Sequence, residues 1–230
     1  MAYTYDHPRP AVTVDCVVFG LEHADGLQVL LIQRRLPPFV GEWALPGGFV
    51  RPAECLDQAA RRELQEETDV HGLFLEQLGA YGHPQRDPRG HTVTVAFYAL
   101  VNLWDHQIKA ATDAKQARWW PLEQLPALAF DHGKIVADAI ATLRITIRHR
   151  PIGFELLPPK FTLTQLQQLY EQVLGRPFDK RNFRKKLLKL DILVALPEKE
   201  TNVAHRAAQL YRFDGDTYRQ RQKPGFSFDL

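Results

Sequence analysis

The sequence predicts an α/β domain over residues 1–150, followed over residues 151–230 by a helix-turn-helix with a β-hairpin wing. Three observations support this division. The first part alternates β-branched apolar runs with a helix that has one apolar and one acidic face. Prolines and glycines interrupt residues 150–161. Beyond that stretch come two capped helical patterns and two short apolar runs.

The composition is that of an ordinary soluble globular protein. The 230 residues are 45% apolar and 24% charged, and they suffice for one medium and one small domain. No apolar run approaches the roughly 18 residues that a membrane span requires. The first ten residues lack the apolar core of a signal peptide. We therefore expect a cytoplasmic protein that does not associate with a membrane.

Charge is divided unevenly along the chain. Residues 1–143 contain 12 Lys and Arg against 18 Asp and Glu, a net charge of −6. Residues 144–230 contain 17 against 9, a net charge of +8. This asymmetry favours a polyanionic partner for the second part, although a basic surface would also fit mere solubility.

The first predicted elements are two strands. Residues 11–19 (AVTVDCVVF) and 27–33 (LQVLLIQ) are apolar runs joined by a polar turn. Arg34 and Arg35 follow the second strand and are candidates to contact an anionic ligand. Trp43, just before a Gly-Gly turn, is a candidate to stack on a base.

A predicted helix after the Gly-Gly turn carries a cluster of carboxylates. Glu63, Glu66 and Glu67 are spaced i, i+3 and i+4, so they project from one face. Like charges at this spacing repel each other. Oxygen ligands of this kind suit Mg²⁺ or Mn²⁺, which shares its remaining positions with substrate phosphates. The alternative is a solvated face with Arg and Glu pairs.

Two further strands follow, over residues 73–82 and 92–101, and a helix runs to about residue 148. The loop between the two strands carries Arg86 and Arg89. Guanidinium groups match phosphate oxygens, so two arginines beside an acidic metal site favour a pyrophosphate ligand. A surface ion pair of Asp87 with either arginine is the alternative.

The second part of the chain has the pattern of a helix-turn-helix. Thr162 and Gln165 form a capping box ahead of an apolar helical stripe that ends at Gly175. Asp179 is a good N-cap for a second helix, whose outer positions are rich in Arg, Lys and Asn. Such a helix can enter the major groove of DNA.

The wing is predicted by two apolar runs, ILVAL and QLYRF, on either side of a polar loop. The candidate DNA-binding residues are Lys180, Arg181, Asn182, Arg184, Lys185 and Lys186 on the second helix, with Lys199 and Arg206 in the wing. The alternative is a small basic helical domain that packs on the first.

Residues 47–70 resemble the Nudix box, a pattern of long fixed spacing. The matching positions are Gly48, Glu54, Arg62, Glu63, Leu64, Glu66, Glu67 and Val70. Asp69 stands where the family has its last glycine. That glycine normally ends the helix in a left-handed conformation, which Asp tolerates better than most residues. The resemblance implies a Nudix α/β/α sandwich.

The Nudix resemblance also implies a role for each residue of the box. Divalent ions held by Glu63, Glu67 and the Gly47 carbonyl would polarise a phosphorus and activate a water. Glu66 would complete the cluster or assist as a base. Glu54 and Arg62 would orient the cluster.

The joining of a Nudix domain to a C-terminal winged helix resembles the NrtR family, regulators of bacterial NAD metabolism. The similarity includes TVDCVVF, PFVGEWALPGGFV, RDPRG, LAFDH, FTLTQLQQLYE and DKRNFRKKLL. It implies a homodimer that binds a palindromic operator in double-stranded DNA. It also implies that ADP-ribose, or a related nucleotide, binds the Nudix cleft and releases the DNA.

Two functions follow from these patterns. One is an ADP-ribose-responsive transcriptional repressor of NAD metabolism, in which the retained glutamates make hydrolysis chemically possible. The other is a Mg²⁺-dependent ADP-ribose pyrophosphatase that gives AMP and ribose 5-phosphate, with a basic appendage for dimerisation. The capped helix pair, the Asn- and Arg-rich helix and the wing favour the repressor.

Overall fold

The computed structural model describes residues 6–22, 26–103, 114–201 and 207–221. The chain forms two compact units. The first comprises residues 1–20, 28–99 and 106–140, and the second comprises residues 21–27, 100–105 and 141–230. Among the helices of the described ranges, none combines the length and apolar character needed to cross a bilayer.

The first unit is built around a seven-stranded sheet. Its order is β3-β2-β1-β6-β5, with β4 paired to β1 and β7 paired to β2. The strands are β1 (Ala11–Glu22), β2 (Gly26–Arg34), β3 (Trp43–Ala44), β4 (Gly47–Phe49), β5 (Glu76–Tyr81), β6 (Thr92–Asn102) and β7 (Ala114–Pro121).

The two central strands are buried on both faces. Residues 13–21 of β1 and 27–32 of β2 are buried without interruption. Successive side chains of a strand point to opposite faces, so the middle of this sheet is covered on both sides. This is the layering that a mixed α/β fold requires, and the predicted fold class is confirmed.

Two helices accompany the sheet, α1 (Leu56–Thr68) and α2 (His132–His149). The apolar face of α1 buries Ala59, Ala60 and Leu64, and the Cys16 thiol of β1 donates to the Ala60 carbonyl at 3.7 Å. The helix ends at Asp69, which adopts φ 60° and donates its N–H to the Gln65 carbonyl. The left-handed conformation expected where the Nudix box has glycine is therefore present.

The second unit has the predicted helix-turn-helix and wing. Its elements are β8 (Phe161–Thr162), α3 (Leu163–Leu174), α4 (Lys180–Lys189), β9 (Leu193–Lys199), β10 (Gln209–Phe213) and α5 (Gly215–Arg221). A three-stranded antiparallel sheet has the order β8-β10-β9. The predicted hairpin is confirmed, whereas β8 and α5 were not predicted.

The ends of α3 and α4 are formed by the predicted caps. Thr162 accepts from the Gln165 N–H at 3.2 Å, and the Gln165 side chain accepts from the Thr162 N–H at 2.7 Å. Gly175 ends α3 at φ 66°. Asp179 accepts from the Asn182 N–H at 2.8 Å to start α4. The turn between the helices is therefore specified locally.

The segment that separates the two predicted domains is packed rather than extended. Pro151–Leu156 forms a 3-10 helix in which Pro151, Gly153, Phe154 and Leu156 are buried. A Cβ at Gly153 would lie 3.0 Å from side-chain atoms of Ile147 and Leu169. The glycine thus permits a close approach of this helix to α3 within the second unit.

Candidate functional site

The Gly-Gly turn brings backbone and carboxylate together. In the antiparallel pairing of β4 with β1, Gly47 lies opposite Asp15. A Cβ at Gly47 would lie 2.2 Å from the Val14 carbonyl oxygen, and one at Gly48 would lie 2.5 Å from Oε1 of Glu63. Glycine is needed at both positions for this approach. The turn therefore sets where the Glu63 carboxylate can lie.

Arg62 holds three glutamates of the Nudix box. It donates to Glu54 at 2.6 and 3.0 Å, to Oε1 of Glu63 at 2.6 Å and to Oε2 of Glu66 at 3.2 Å. Hydrogen bonds from Arg62 lower the pKa of the Glu54 carboxyl to about 2. Arg51 also contacts Glu66, at 3.1 Å. Arginines therefore compensate much of the acidic face of α1.

Glu67 differs from these three glutamates, because its hydrogen bond comes from a backbone N–H and not from Arg62. The residue is 8% exposed, and its Oε2 accepts from the Gly47 N–H at 2.8 Å. Burial raises the pKa of the Glu67 carboxyl to about 8; the Gly47 hydrogen bond opposes this, and the charges of Glu63 and Asp15 add to it. Burial also raises the pKa of Glu63. Negative charge here favours a cation or a proton.

A buried network of ion pairs contributes to the same site. Arg86 donates to Asp131 at 2.6, 3.0 and 3.2 Å and to Asp15 at 3.4 Å. Burial opposes the charge of Arg86, but the hydrogen bonds and charges of Asp131 and Asp15 together outweigh the burial, so the pKa of Arg86 is raised. Arg86 is therefore fixed by carboxylates of its own domain.

His132 adds a neutral imidazole to this network. Its Nδ1 accepts from the Leu45 N–H at 2.9 Å, and its Nε2 lies 3.5 Å from Oδ1 of Asp15. Burial lowers the pKa of His132, so the ring is neutral near pH 7. Because Nδ1 accepts, the ring hydrogen is on Nε2 and faces Asp15.

Arg89 and Arg34 lie against aromatic rings. Arg89 donates to Asp87 at 2.7 and 3.0 Å, and its guanidinium carbon is 5.0 Å from the Phe49 ring centroid and 5.7 Å from that of Phe130. The Arg34 guanidinium is 4.7 Å from the Phe130 centroid. Cations held over rings in this way gain cation–π stabilisation and keep a fixed orientation.

These groups surround one cavity of about 390 Å³, a volume typical of small-ligand sites. The cavity is lined by arginines, carboxylates, aromatic rings and the glycine turn: Arg34, Arg35, Arg51, Arg86, Arg89, Asp15, Glu63, Glu67, Asp87, Phe49, Phe130, His132, Gly47 and Gly48, with Thr13, Ile32, Leu36, Pro37 and Leu45. Cationic and anionic groups therefore share one concave surface.

Most of the predicted ligand-binding residues line this cavity. Trp43 does not, and it packs edge to face on Trp120 with ring centroids 5.2 Å apart. Three further predicted residues lie outside the cavity lining and are joined by hydrogen bonds at the acidic face of α1: Glu54, Arg62 and Glu66. Within the described ranges, no group of three or more His, Cys, Asp or Glu is arranged to hold a metal ion.

Thr13, Asp15, Phe49, Phe130 and His132 are among the cavity residues that sequence reasoning missed. Thr13 and Asp15 could have been identified from the sequence, because they are polar residues two positions apart in an otherwise apolar strand. The other three lie beside the glycine turn or in the LAFDH segment. Their approach to the cavity depends on tertiary packing.

In the second unit, α4 presents a basic surface. Phe183 and Leu187 are buried. The outward residues Lys180, Arg181, Asn182, Lys185 and Lys186 are exposed, and Arg184 donates to the Thr164 hydroxyl of α3 at 3.0 Å. Lys199 is exposed on β9, whereas Arg206 lies outside the described residues.

Comparison with known proteins assigns both units. The NUDIX domain family matches residues 9–139, and the NrtR DNA-binding winged helix domain matches residues 153–213. The ADPR responsive transcriptional repressor NtrR of Acinetobacter baylyi is 38% identical over 212 residues, which cover 90% of this chain and 84% of the relative.

Two solved structures of Shewanella oneidensis NrtR are also similar. In its complex with a 27mer DNA, that protein is 37% identical with a TM-score of 0.78, over 90% of this chain and 95% of the other. Its Nudix domain in complex with ADP ribose is 37% identical with a TM-score of 0.54, over 60% of this chain and 94% of the other. The present chain therefore belongs to the NrtR family, a Nudix domain joined to an NrtR DNA-binding winged helix domain.

Proposed function

We propose that this protein is a transcriptional repressor that binds operator DNA as a homodimer and releases it when ADP-ribose occupies the Nudix cavity. The observation that carries the proposal is the combination, in one chain, of a cavity of about 390 Å³ lined by both cations and carboxylates and a basic helix, α4, whose outward residues are exposed. The similarity to an ADPR responsive repressor over 84% of that protein's length supports it.

The DNA-binding half of the proposal depends on α4. Lys180, Arg181, Lys185 and Lys186 are exposed, and in the described part of the chain they form no ion pair. Cations that are not neutralised by the protein are available to phosphates. Asn182 and Arg181 stand in the first turn of the helix, the part that contacts base edges in helix-turn-helix proteins.

The ligand-binding half depends on the arginines and rings of the cavity. Arg34, Arg35 and Arg89 line it and can pair with the diphosphate oxygens. Phe49 is 46% exposed, and its ring gives an apolar surface on which an adenine can stack beside Arg89. ADP-ribose, with a base, two sugars and a diphosphate between them, offers a partner to each of these groups.

The cavity residues contributed by α1 fit a divalent cation that is shared with the ligand. Glu63 and Glu67 line the cavity, burial raises the pKa of both carboxyls, and the Gly47 backbone is adjacent. Mg²⁺ commonly binds one or two carboxylates plus substrate phosphates. We infer that Glu63, Glu67 and the Gly47 carbonyl would hold Mg²⁺ or Mn²⁺, which would supply charge neutralisation and activation of water.

Slow hydrolysis of ADP-ribose to AMP and ribose 5-phosphate is the second candidate function. The observation that favours it is the presence of Glu63 and Glu67 on the cavity surface itself. Glu54 and Arg62, which are joined by a hydrogen bond of 2.6 Å, would orient the cluster, and Glu66, which accepts from Arg62 at 3.2 Å, would complete it or assist as a base. Incubation of ADP-ribose with the protein and Mg²⁺ or Mn²⁺, followed by chromatography for AMP, measures this activity.

The repressor function is tested by electrophoretic mobility shift. The full-length protein is first used to select a duplex from a randomised pool, and binding to that duplex is then measured with and without ADP-ribose. We expect a shifted complex containing two protein chains, which ADP-ribose dissociates in the absence of hydrolysis. Failure to select any duplex, or a complex unaffected by saturating ADP-ribose, would rule the proposal out.

A further inference from the structure

Two polar side chains of β1 are turned toward the cavity and take no part in the Nudix box. Thr13 and Asp15 are two residues apart on one strand, so they project from the same face, about 7 Å apart along the strand. Both line the cavity, and they are 7% and 6% exposed. Their position makes them candidates to contact a ligand directly.

The Thr13 hydroxyl is buried without a hydrogen-bond partner in the described part of the chain. A buried polar group left unsatisfied is destabilising, so such groups are uncommon in stable folds. The buried hydroxyl of Thr68 shows the usual outcome, because it donates to the Leu64 carbonyl at 2.6 Å. Because Thr13 lines the cavity, a polar group of a bound ligand can supply the missing partner.

Among the described residues, the side-chain partners of Asp15 lie at long distances. Nη2 of Arg86 and Nε2 of His132 lie 3.4 and 3.5 Å from its carboxylate oxygens, the long limit for a hydrogen bond. An ionised carboxylate can accept about four hydrogen bonds. Asp15 therefore retains acceptor capacity at the cavity surface.

The charge of Asp15 favours a hydroxyl over a phosphate as its direct partner. A phosphate in contact with this carboxylate would place two negative charges together, whereas Glu63 and Glu67 can share a phosphate through a divalent cation. A sugar hydroxyl can donate to the carboxylate and can exchange a hydrogen bond with the threonine. The arginines of the cavity remain for the phosphates.

We propose that Thr13 and Asp15 form a subsite that recognises a ribose hydroxyl of the ligand and so determines specificity for the sugar. This inference rests on the proposed binding of ADP-ribose in the cavity. A site built to pair with a hydroxyl discriminates against an analogue that lacks it, because the protein groups are then left unpaired.

The test is calorimetric titration of the full chain with ADP-ribose. Thr13→Val keeps the shape and removes the hydroxyl, and we expect about tenfold weaker binding, whereas Thr13→Ser should bind like the parent. Thr94→Val is the matched control. The Thr94 hydroxyl is also buried without a partner in the described residues, but Thr94 does not line the cavity. Its replacement should leave affinity unchanged.

Deoxy analogues of ADP-ribose supply the second arm of the test and require no variant. At least one analogue that lacks a single ribose hydroxyl should bind the parent about tenfold more weakly, and Thr13→Val should discriminate less than the parent between that analogue and ADP-ribose, because Asp15 alone remains to recognise the hydroxyl. Equal binding of all analogues by the parent, or unchanged binding of ADP-ribose by Thr13→Val, would overturn the subsite while the proposed function stands. Absence of ADP-ribose binding by the parent would overturn both.

Discussion

The arginines of the cavity and the cations of α4 differ in whether carboxylates of the protein pair with them. Arg86 is paired with Asp131 and Asp15, and Arg89 is paired with Asp87, all within the first unit. The exposed cations of α4 have no such partners among the described residues. The paired arginines are fixed in orientation and suit a ligand of defined shape, whereas the unpaired ones suit a uniform polyanion.

The difference between paired and unpaired cations is tested most strongly by removing the arginine of a buried ion pair. Arg86 is 8% exposed, and Arg86→Ala removes the cation that pairs with Asp131 and Asp15. We expect a loss of about 3–5 kcal/mol in the free energy of unfolding. Urea denaturation followed by circular dichroism measures it. A loss below about 1 kcal/mol would mean that the network does not behave as a buried ion pair.

Glu67 is the carboxylate that the cavity leaves poorly compensated. Its folded pKa of about 8 lies above the value of 4.5 for a free glutamate. The folded state therefore binds the extra proton, and this group's contribution to stability is lost as pH rises from about 4.5 through 8. In metal-free buffer, Glu67→Gln should remove that loss and be more stable than the parent at pH 8 by a few kcal/mol.

Thermal unfolding in chelator across pH 5 to 9 gives this result directly. Added Mg²⁺ or Mn²⁺ should then stabilise the parent more than Glu67→Gln, because the ion replaces the proton at the carboxylate. Glu76→Gln is the control, since this glutamate lies on β5 outside the cavity lining. Equal metal stabilisation of parent and Glu67→Gln would remove Glu67 from the metal site.

The unpaired cations of α4 should show their effect in DNA binding. Arg181→Ala combined with Arg184→Ala should weaken binding to the selected duplex about 100-fold at moderate salt, since each specific arginine contact contributes about 1–3 kcal/mol. If either arginine neutralises a phosphate, its removal also reduces the slope of the salt dependence by roughly 0.9. Fluorescence anisotropy over a range of salt concentrations measures both. Unchanged affinity would separate α4 from the DNA interface.

Lys134→Ala serves as the charge control for that experiment. It removes one cation of the first unit, where Lys134 pairs with Asp138 at 2.9 Å and is mostly exposed. We expect affinity within a factor of about two of the parent, because an exposed pair contributes little and takes no part in the proposed interface. A decrease in affinity comparable to that of the α4 double variant would indicate that net charge alone drives binding.

The smallest effect on stability is expected for the exposed ion pair of Arg89 with Asp87. The Arg89 side chain is 41% exposed, so Arg89→Ala should cost less than about 1 kcal/mol of stability. Affinity for ADP-ribose should nevertheless fall severalfold, because the variant lacks a phosphate-binding cation. Denaturation and calorimetry on the same preparation separate the two effects. A stability loss as large as that of Arg86→Ala would abolish the distinction between buried and exposed pairs.

Local patterns in the sequence predicted the parts of the fold that depend on local interactions. The capping box of Thr162 and Gln165, the Gly175 end of α3 and the left-handed Asp69 are set by residues close to one another in sequence. The outward and inward residues of α4 follow from helical periodicity. These features could be predicted because neighbouring residues suffice to specify them.

Pairing across the sheet could not be predicted in the same way. The contacts of Arg86 with Asp131 and of His132 with Leu45 join residues 45 and 87 positions apart. The position of Trp43 on Trp120 depends on the pairing of β2 with both β3 and β7. No periodicity in the sequence encodes those partners, and the cavity lining was therefore only partly predicted.

The coupling between cavity and DNA is tested most directly by the affinity of the full-length protein for ADP-ribose, free and saturated with its selected DNA duplex. Binding equilibria at two linked sites are reciprocal, so a ligand that releases DNA must itself bind more weakly to the DNA complex. We predict at least tenfold weaker ADP-ribose binding in the presence of DNA. Equal affinities for the free and the DNA-bound protein would contradict the coupling of cavity and recognition helix.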